Sequence, residues 1–501
     1  MFSKVLIANR GEIAVRVLRA CRELGVRTAV AYAAVDRSSL AVRLADEAYL
    51  VEGPDARGAY LNIAGMVEVA KRCGAEAVHP GYGFLSENAE FSRACREAGI
   101  VFIGPSPEVI HRLGDKNQAR AAMATAGVPL VPGTDGPLAD GDQAVAEAER
   151  IGYPVLLKAA GGGGGRGMRR AHNADEVRSG FEQARREALA AFGSPSIYLE
   201  KYIERPRHIE IQILGDNYGE VVYLHERECS IQRRFQKMIE EAPSPLLDQA
   251  TRRAMGEAAV AGARKVGYAG AGTFEFLADD DRNFYFLEVN TRLQVEHPVT
   301  EMITGIDLVE AQLRVAAGER MWLQQDEIPL NGWAIECRIT CEDPFGGFRP
   351  CPGKVEAVRY PAGPGVRFDS HLYPGYVVPV DFDSMVGKLI TSGEDREQAR
   401  RRMLGALDEM VLAGFPNSVP FHRFVLNHPV FIEGHLSTHF LDQYLGEFSR
   451  QVDQDTVDLA AVVGAIERFQ AQAPAGANQD QYPAWRRTGL EQAVAGRGFS
   501  R

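Results

Sequence analysis

Between Gly272 and Asn290, two aromatic-rich runs flank a polar stretch. They are Gly272-Thr273-Phe274-Glu275-Phe276-Leu277 and Phe284-Tyr285-Phe286-Leu287-Glu288-Val289-Asn290, around Ala278 to Asn283. This pattern predicts a β-hairpin. Centring its turn between Asp281 and Arg282 sets Glu275 opposite Glu288. Like charges facing each other across strands destabilise a hairpin, and burying two unpaired carboxylates among Phe, Leu and Val costs more. A hard cation between them resolves the conflict, as when Mg²⁺ is held by one or two carboxylates plus phosphates. The alternative is a register that turns one glutamate to solvent.

The second run continues with Glu288, Asn290, Arg292, Gln294 and Glu296 at every other position. An extended chain would carry all five on one face and Leu287, Val289, Leu293 and Val295 on the other. Two oxygen donors are followed by a guanidinium, an amide and a carboxylate. That row suits an anion bound beside a metal, with a candidate base next to it. A solvated strand face is the plainer reading. His208, Glu210 and Gln212 alternate with Ile209, Ile211 and Ile213, predicting a second polar strand face. Gln232 to Lys237 is a basic segment, expected as a solvated loop.

Tyr153 to Ala160 reads as an apolar strand carrying Lys158, and it leads into Gly161 to Gly165, then Arg166-Gly167. An isolated glycine run is as easily a flexible linker. Following a strand, backbone without Cβ can close on phosphate oxygens and donate its N–H groups to them. No Gly-Lys-Ser/Thr follows, so this is not a Walker A loop. The expectation is a mobile lid over a nucleotide, with Lys158 reaching a phosphate. Lys116, in Gly114-Asp115-Lys116-Asn117, by itself reads as a surface lysine.

These groups need a scaffold, and 501 residues are too many for one hydrophobic core. The expected class is α/β and α+β multidomain. Val5 to Ala8 is a strand, Asn9-Arg10-Gly11 turns, and Ile13, Val17, Leu18, Cys21 and Leu24 recur at helical spacing before Gly25. Further strands at Thr28 to Tyr32 and Ala75 to Val78 predict a parallel, helix-covered sheet over residues 1–114. Asp36 after the second strand raises a dinucleotide site, but Asn9-Arg10-Gly11-Glu12 supplies one glycine where a pyrophosphate fingerprint needs three. Residues 115–331 hold the lid and the hairpin, with a small inserted subdomain at 131–203. Residues 332–445 are expected to be strand-rich. In the tail, 446–501, Val457 to Phe469 reads as a helix, followed by a polar linker and a stub with Tyr482, Trp485 and Leu490.

A 45% hydrophobic and 25% charged composition is that of a soluble globular protein. A net charge of −11 argues against non-specific binding to nucleic acid or anionic membrane. No signal-peptide stretch, no membrane-length apolar run and no C-x-x-C pair among the seven cysteines is found, so a cytoplasmic enzyme with reduced thiols is expected.

Several stretches together resemble biotin carboxylase, within the ATP-grasp superfamily. They are Val5 to Ala14, His79 to Asn88, Gly272 to Phe276, Glu288 to Pro298 and Asp383 to Leu389, and the resemblance covers residues 1 to about 445. It implies an N-terminal domain, an ATP-grasp domain with a glycine-rich lid, and a C-terminal domain. It also implies roles. Lys116, Lys158, Gly164 and Gly165 match phosphate contacts, and Glu200, Lys201, Tyr202 and Ile203 match the adenine segment. His208 and Gln232 match nucleotide contacts. Glu275, Glu288 and Asn290 match ligands of two Mg²⁺ or Mn²⁺ ions. Lys237, Arg292, Gln294 and the Val295 backbone match a bicarbonate site, with Tyr82 beside the substrates. Glu296 matches the base that deprotonates bicarbonate, and Arg338 the residue facing the biotin ureido oxygen. Phe235 departs from the pattern, standing where many members have a histidine that touches the nucleotide.

The implied reaction is ATP-dependent carboxylation of biotin through carboxyphosphate. No Met-Lys-Met occurs, so biotin is expected on a separate carrier protein, with a carboxyltransferase as a further partner. Acetyl-CoA carboxylase, hence fatty acid biosynthesis, is the expected assembly, with a propionyl-/acyl-CoA or pyruvate carboxylase as the alternative. Members are commonly homodimers. The tail is expected either to dock on a partner or to pack on itself. Rival readings are another ATP-grasp ligase acting on an amine, and a non-catalytic nucleotide-binding regulator.

Overall fold

The computed structural model describes residues 1–134, 136–163, 166–192 and 195–449. The chain opens on β1 (Lys4–Ile7), whose Val5, Leu6 and Ile7 are wholly buried. With β2 (Arg27–Tyr32), β3 (Glu47–Leu50), β4 (Ala77–His79) and β5 (Val101–Phe102) it forms a parallel sheet in the order β3-β2-β1-β4-β5. Ile13, Ala14, Val17, Leu18 and Cys21 of the helix Gly11–Glu23 recur at three- and four-residue spacing and are buried. Asp36 is engaged within the protein. Its carboxylate takes two bonds from Arg10, at 2.8 and 2.9 Å, and one from the Tyr60 hydroxyl at 2.8 Å.

A separate three-stranded sheet in the order β7-β6-β8 unites β6 (Val155–Gly163), β7 (Arg166–Ala171) and β8 (Ile197–Lys201). It shares an apolar cluster with the helices Gly141–Ile151 and Ala174–Phe192. The glycines Gly161–Gly163 therefore close the β6 arm of a hairpin. Gly164 and Gly165 lie outside the described residues, as does the tail from residue 450, including the helix expected at Val457 to Phe469.

The central element is an eight-stranded antiparallel sheet in the order β13-β12-β9-β10-β11-β14-β19-β18. Its strands are β9 (Arg207–Gly215), β10 (Val221–Arg233), β11 (Gln236–Ala242), β12 (Gly270–Ala278), β13 (Phe284–Asn290), β14 (Trp333–Thr340), β18 (Val366–Ser370) and β19 (Met385–Gly393). Two two-stranded ribbons, β15 (Glu342–Asp343) with β16 (Arg349–Pro350) and β17 (Ala357–Arg359) with β20 (Val411–Ala413), complete the strands. The sheet does not break at residue 331: β11 pairs with β14, joining the second and third segments through continuous backbone hydrogen bonds. After Gly393 the third segment is mainly helical, with β20 the one later strand among the described residues. Asp395 then caps the helix Arg396–Glu409, whose Ala399, Met403, Ala406 and Leu407 are buried, and three shorter helices follow.

Glu275 faces Glu288 as expected, though by another route, and a second local expectation is corrected. The hairpin closes around Asp281, and near the turn Phe276 faces Phe286 and Leu277 faces Tyr285. Leu287 is an extra, bulged residue, and only this bulge brings Glu288 opposite Glu275. The strand also does not run on through Glu296. It stops at Asn290 because Glu87 captures the next amide, accepting from the Thr291 N–H at 2.9 Å and from Arg292 Nε at 2.8 Å.

Candidate active site

One face of the large sheet carries ionisable groups, while the other packs Ile209, Ile211, Ile213, Phe274 and Phe276 into a core. Strict alternation on β9 causes this division, sending His208, Glu210 and Gln212 to the polar side. Strand register then lines up a row: Glu288 opposite Glu275, Glu275 opposite Glu210, Glu210 opposite Arg227.

Arg227 is a wholly buried guanidinium that the motif reading missed. Its Nε bonds Glu210, its Nη1 reaches Gln212 at 2.7 Å and Thr300 at 2.9 Å, and its Nη2 reaches Thr273 at 3.0 Å. An arginine inside the otherwise strand-like Val221 to Ile231 was the signal available in the sequence.

The basic segment Gln232 to Lys237 is not a loose loop. It is a two-residue hairpin turn, with Arg234 and Phe235 both at positive φ (50° and 65°) between the paired Arg233 and Gln236. Phe235 sits at the tip, 86% exposed. Lys237 pairs with Gln232 in step with the turn, and the bulge at the following Met238 places it on the same side of β11 as Glu240. Its ammonium meets three carboxylates: Glu210 at 2.5 Å, Glu296 at 2.7 Å and Glu275 at 2.9 Å. Burial alone would discharge this lysine, but the three carboxylates hold its pKa well above the ordinary value.

Glu296 is wholly buried at the start of the helix His297–Thr304. Lys237 holds Oε1, and Arg338 Nη2 holds Oε2 at 2.8 Å. Burial pushes its carboxyl up, yet Lys237, Arg338 and Arg227 overcome this and keep it well below the usual carboxylate range. The residues between Asn290 and Glu296 converge as a loop rather than a strand face. Asn290 Nδ2 and Gln294 Nε2 donate to Glu275 at 2.8 and 3.3 Å, and Arg292 donates to Gln294 at 2.9 Å and Asn290 at 3.2 Å. The Val295 carbonyl accepts from the buried Lys388 at 2.6 Å.

His208 Nε2 lies 2.9 Å from Glu275 Oε2, and Gln232 packs at 2.9 Å from the other nitrogen of that ring. Burial and the facing Glu275 charge raise the pKa of the half-buried Glu288, against which Lys116 acts. Glu288 makes no side-chain hydrogen bond among the described residues. Two facing carboxylates form a hard oxygen donor pair, which fits a divalent cation of the Mg²⁺ type; the neighbouring Asn290 turns its amide nitrogen to Glu275 and its oxygen to Arg292.

The other expected residues are carried by other elements. Lys116 opens the helix Lys116–Thr125 and is exposed. Lys158 on β6 pairs with Glu200 on the neighbouring β8. Lys201 donates to the carbonyls of Gly152 and Tyr153, and Tyr202 lies under the Arg170 guanidinium. Ile203 follows at half burial. Tyr82 has a buried, unbonded hydroxyl, and its ring centre lies 5.8 Å from Lys388 Nζ.

Three family descriptions match the chain: "Biotin carboxylase, N-terminal domain" over residues 1–110, "Carbamoyl-phosphate synthase L chain, ATP binding domain" over 115–324, and "Biotin carboxylase C-terminal domain" over 336–443. Biotin carboxylase 1 of Bacillus subtilis is 50% identical over 445 residues, 89% of this chain and 99% of that protein. A pyruvate carboxylase chain of Methanothermobacter thermautotrophicus is 51% identical over 444 residues, 89% of this chain and 90% of that one. Among solved structures, the biotin carboxylase domain dimer of Hydrogenobacter thermophilus 2-oxoglutarate carboxylase, in complex with MgADP, ADP and bicarbonate, superposes with a TM-score of 0.79 at 48% identity. That match covers 90% of this chain and all of the other.

Proposed function

The chain belongs to the biotin carboxylase family, an ATP-dependent ligase family, and from that premise we propose that the buried face described above carboxylates biotin on a separate carrier protein, with ATP and bicarbonate as co-substrates. The observation that carries this reading is the double grip of Lys237 and Arg338 on Glu296, beside the facing pair Glu275 and Glu288.

Arg292, Gln294, Lys237 and the Val295 amide bind bicarbonate and orient it. Glu296 takes the bicarbonate proton, and a bicarbonate oxygen then forms its bond to the γ-phosphorus of ATP as the bond to ADP breaks. Glu296 is a weak base while two cations hold it. Bicarbonate draws those cations toward itself, so its arrival raises the basicity of the group that must deprotonate it. A cation held by Glu275, Glu288 and Asn290 would neutralise charge on the transferring phosphoryl group. Lys116, Lys158 and the glycines Gly164 and Gly165 contact the phosphates, and the lid keeps water from carboxyphosphate. Glu200 to Ile203, His208 and Gln232 contact the rest of the nucleotide. Carboxyphosphate breaks down to CO₂ and phosphate, and the phosphate removes the N1 proton of biotin. Arg338 stabilises the negative ureido oxygen until N1 attacks CO₂, and Tyr82 lies beside these substrates.

The carboxyl group then passes to an acceptor bound by a carboxyltransferase, acetyl-CoA in our reading. Relatives near 50% identity carry the names of biotin carboxylase and of pyruvate carboxylase, so identity alone does not single out that acceptor. A homodimer is the proposed assembly; the 2-oxoglutarate carboxylase relative is a dimer. No helix among the described residues is long and apolar enough to cross a membrane, and a cytoplasmic setting is the one we propose. The test is steady-state ATP hydrolysis with Mg²⁺ and bicarbonate, with and without free biotin. Turnover that needs bicarbonate and rises with biotin supports the reading; turnover indifferent to both sinks it.

A further inference from the structure

Beneath Arg338 lies a group of buried acids that the reaction above does not use. Glu240 on β11 and Glu336 on β14 stand opposite each other in register, both wholly buried. Arg338 follows two residues after Glu336 and so projects from the same face of β14. Its Nε donates to Glu240 Oε1 at 2.6 Å and its Nη2 to Glu296 Oε2 at 2.8 Å. Its Nη1 makes no hydrogen bond to the described residues. The second oxygen of Glu240 and both oxygens of Glu336 have no hydrogen-bond partner among the described residues.

Two facing carboxylates cannot both stay charged in so dry a place. Burial pushes the Glu336 carboxyl far above the ordinary carboxylate range. Glu240 is pushed up only to about 7 because Arg338 opposes its burial. The guanidinium thus has one carboxylate behind it and one in front. Its own backbone is fixed as well: the Arg338 carbonyl accepts from Ser418 Oγ at 3.1 Å and lies 2.7 Å from His422 Nε2.

We propose that Glu240 is a positioning residue for the biotin half of the reaction, fixing the guanidinium of Arg338 by its Nε edge so that the Nη groups face Glu296 and the ureido oxygen. The arrangement matters most once bicarbonate or biotin competes for Glu296. Glu240 then remains the one carboxylate that touches Arg338 and that the substrates do not engage. A planar guanidinium held by one edge keeps its donors aimed; a free one samples several rotamers. This inference rests on the reading that Arg338 contacts biotin.

The test compares Glu240→Gln, Glu240→Ala and Arg338→Ala in the full chain, measuring biotin-dependent carboxylation, bicarbonate-dependent ATP hydrolysis without biotin, KM for ATP and Tm. For Glu240→Gln we expect kcat for biotin carboxylation to fall about 10- to 100-fold, as when a group orienting a catalytic side chain is lost. KM for ATP and biotin-independent hydrolysis should stay within about threefold of the parent. Glu240→Ala should lose more, because the Nε acceptor goes too. Carboxylation by Glu240→Gln at the parent rate, with Arg338→Ala inactive, would overturn the proposal alone. Equal losses in every parameter with a lowered Tm would reduce Glu240 to a structural residue and overturn it too. Indifference of biotin turnover to Arg338→Ala would instead bring down the underlying reading of the site.

Discussion

Lys237 and Glu296 lie 2.7 Å apart, and the lysine bonds Glu210 and Glu275 at the same time. One ammonium therefore ties the proposed base to Glu275, one of the proposed metal ligands. Glu296→Gln keeps the size of the side chain but cannot accept a proton. We expect bicarbonate-dependent ATP hydrolysis to drop about 10²- to 10⁴-fold, with nucleotide affinity unchanged. Equilibrium binding of a fluorescent ATP analogue beside the turnover assay checks both halves.

Glu275 and Glu288 repel each other until something positive lies between them. Without divalent cations, Glu288→Gln should unfold at a higher temperature than the parent. On adding Mg²⁺ with nucleotide, the parent should gain more in Tm than the variant, because a ligand stabilises only the state that binds it. A thermal shift series over Mg²⁺ concentration reads this out, and equal gains would remove Glu288 from the cation site.

Arg227 is the buried hub of Glu210, Gln212, Thr273 and Thr300. Arg227→Ala leaves Glu210 with a buried charge that only Lys237 balances. The expected cost is about 3–5 kcal/mol of folding stability, measured by urea denaturation.

Glu12 has both carboxylate oxygens buried without hydrogen bonds, and Lys388 stands 3.7 Å away. Burial lifts its pKa to about 7, with Lys388 opposing. The folded state therefore holds a proton that the unfolded chain releases near pH 4.5. The corresponding stability is full below that pH and is lost as pH rises through about 7. Glu12→Gln should flatten this part of the stability–pH curve and be more stable than the parent at pH 8. Chemical denaturation of both proteins from pH 5 to 8 decides the point.

Phe235 projects into solvent from a turn, so Phe235→His removes no packing. If this hairpin tip meets the nucleotide, the histidine should lower KM for ATP while kcat and Tm stay at the parent values. An unchanged KM would show that the tip does not reach it.

Much of this site was legible in the order of residue types. The alternation of His208, Glu210 and Gln212 with isoleucines, the two glutamates in apolar runs, and the blocks Glu288 to Pro298 and Asp383 to Leu389 depend only on strand periodicity and local motif. So did the parallel first sheet, whose strands and helices each carry their own pattern. Long-range pairing was not legible. Whether Glu288 faces Glu275 depended on one bulged residue, Leu287, and Lys237 shares a side of β11 with Glu240 only through a second bulge at Met238. Period-two reasoning cannot foresee a slip of one residue, yet such a slip reverses every side chain beyond it. The supposed strand from Glu288 to Glu296 bent into a loop because Glu87, some 204 residues earlier, took the Thr291 amide. Arg227 and Glu240 acquired their partners, and Glu336 its facing carboxylate, from strands that meet only in the folded sheet. The sequence alone determined which chemical groups are present and, within an unbroken strand or helix, which of them share a face. Tertiary structure alone decided which of those groups touch, because register, bulges and captured amides are set by contacts between distant segments and not by the periodicity of any one of them.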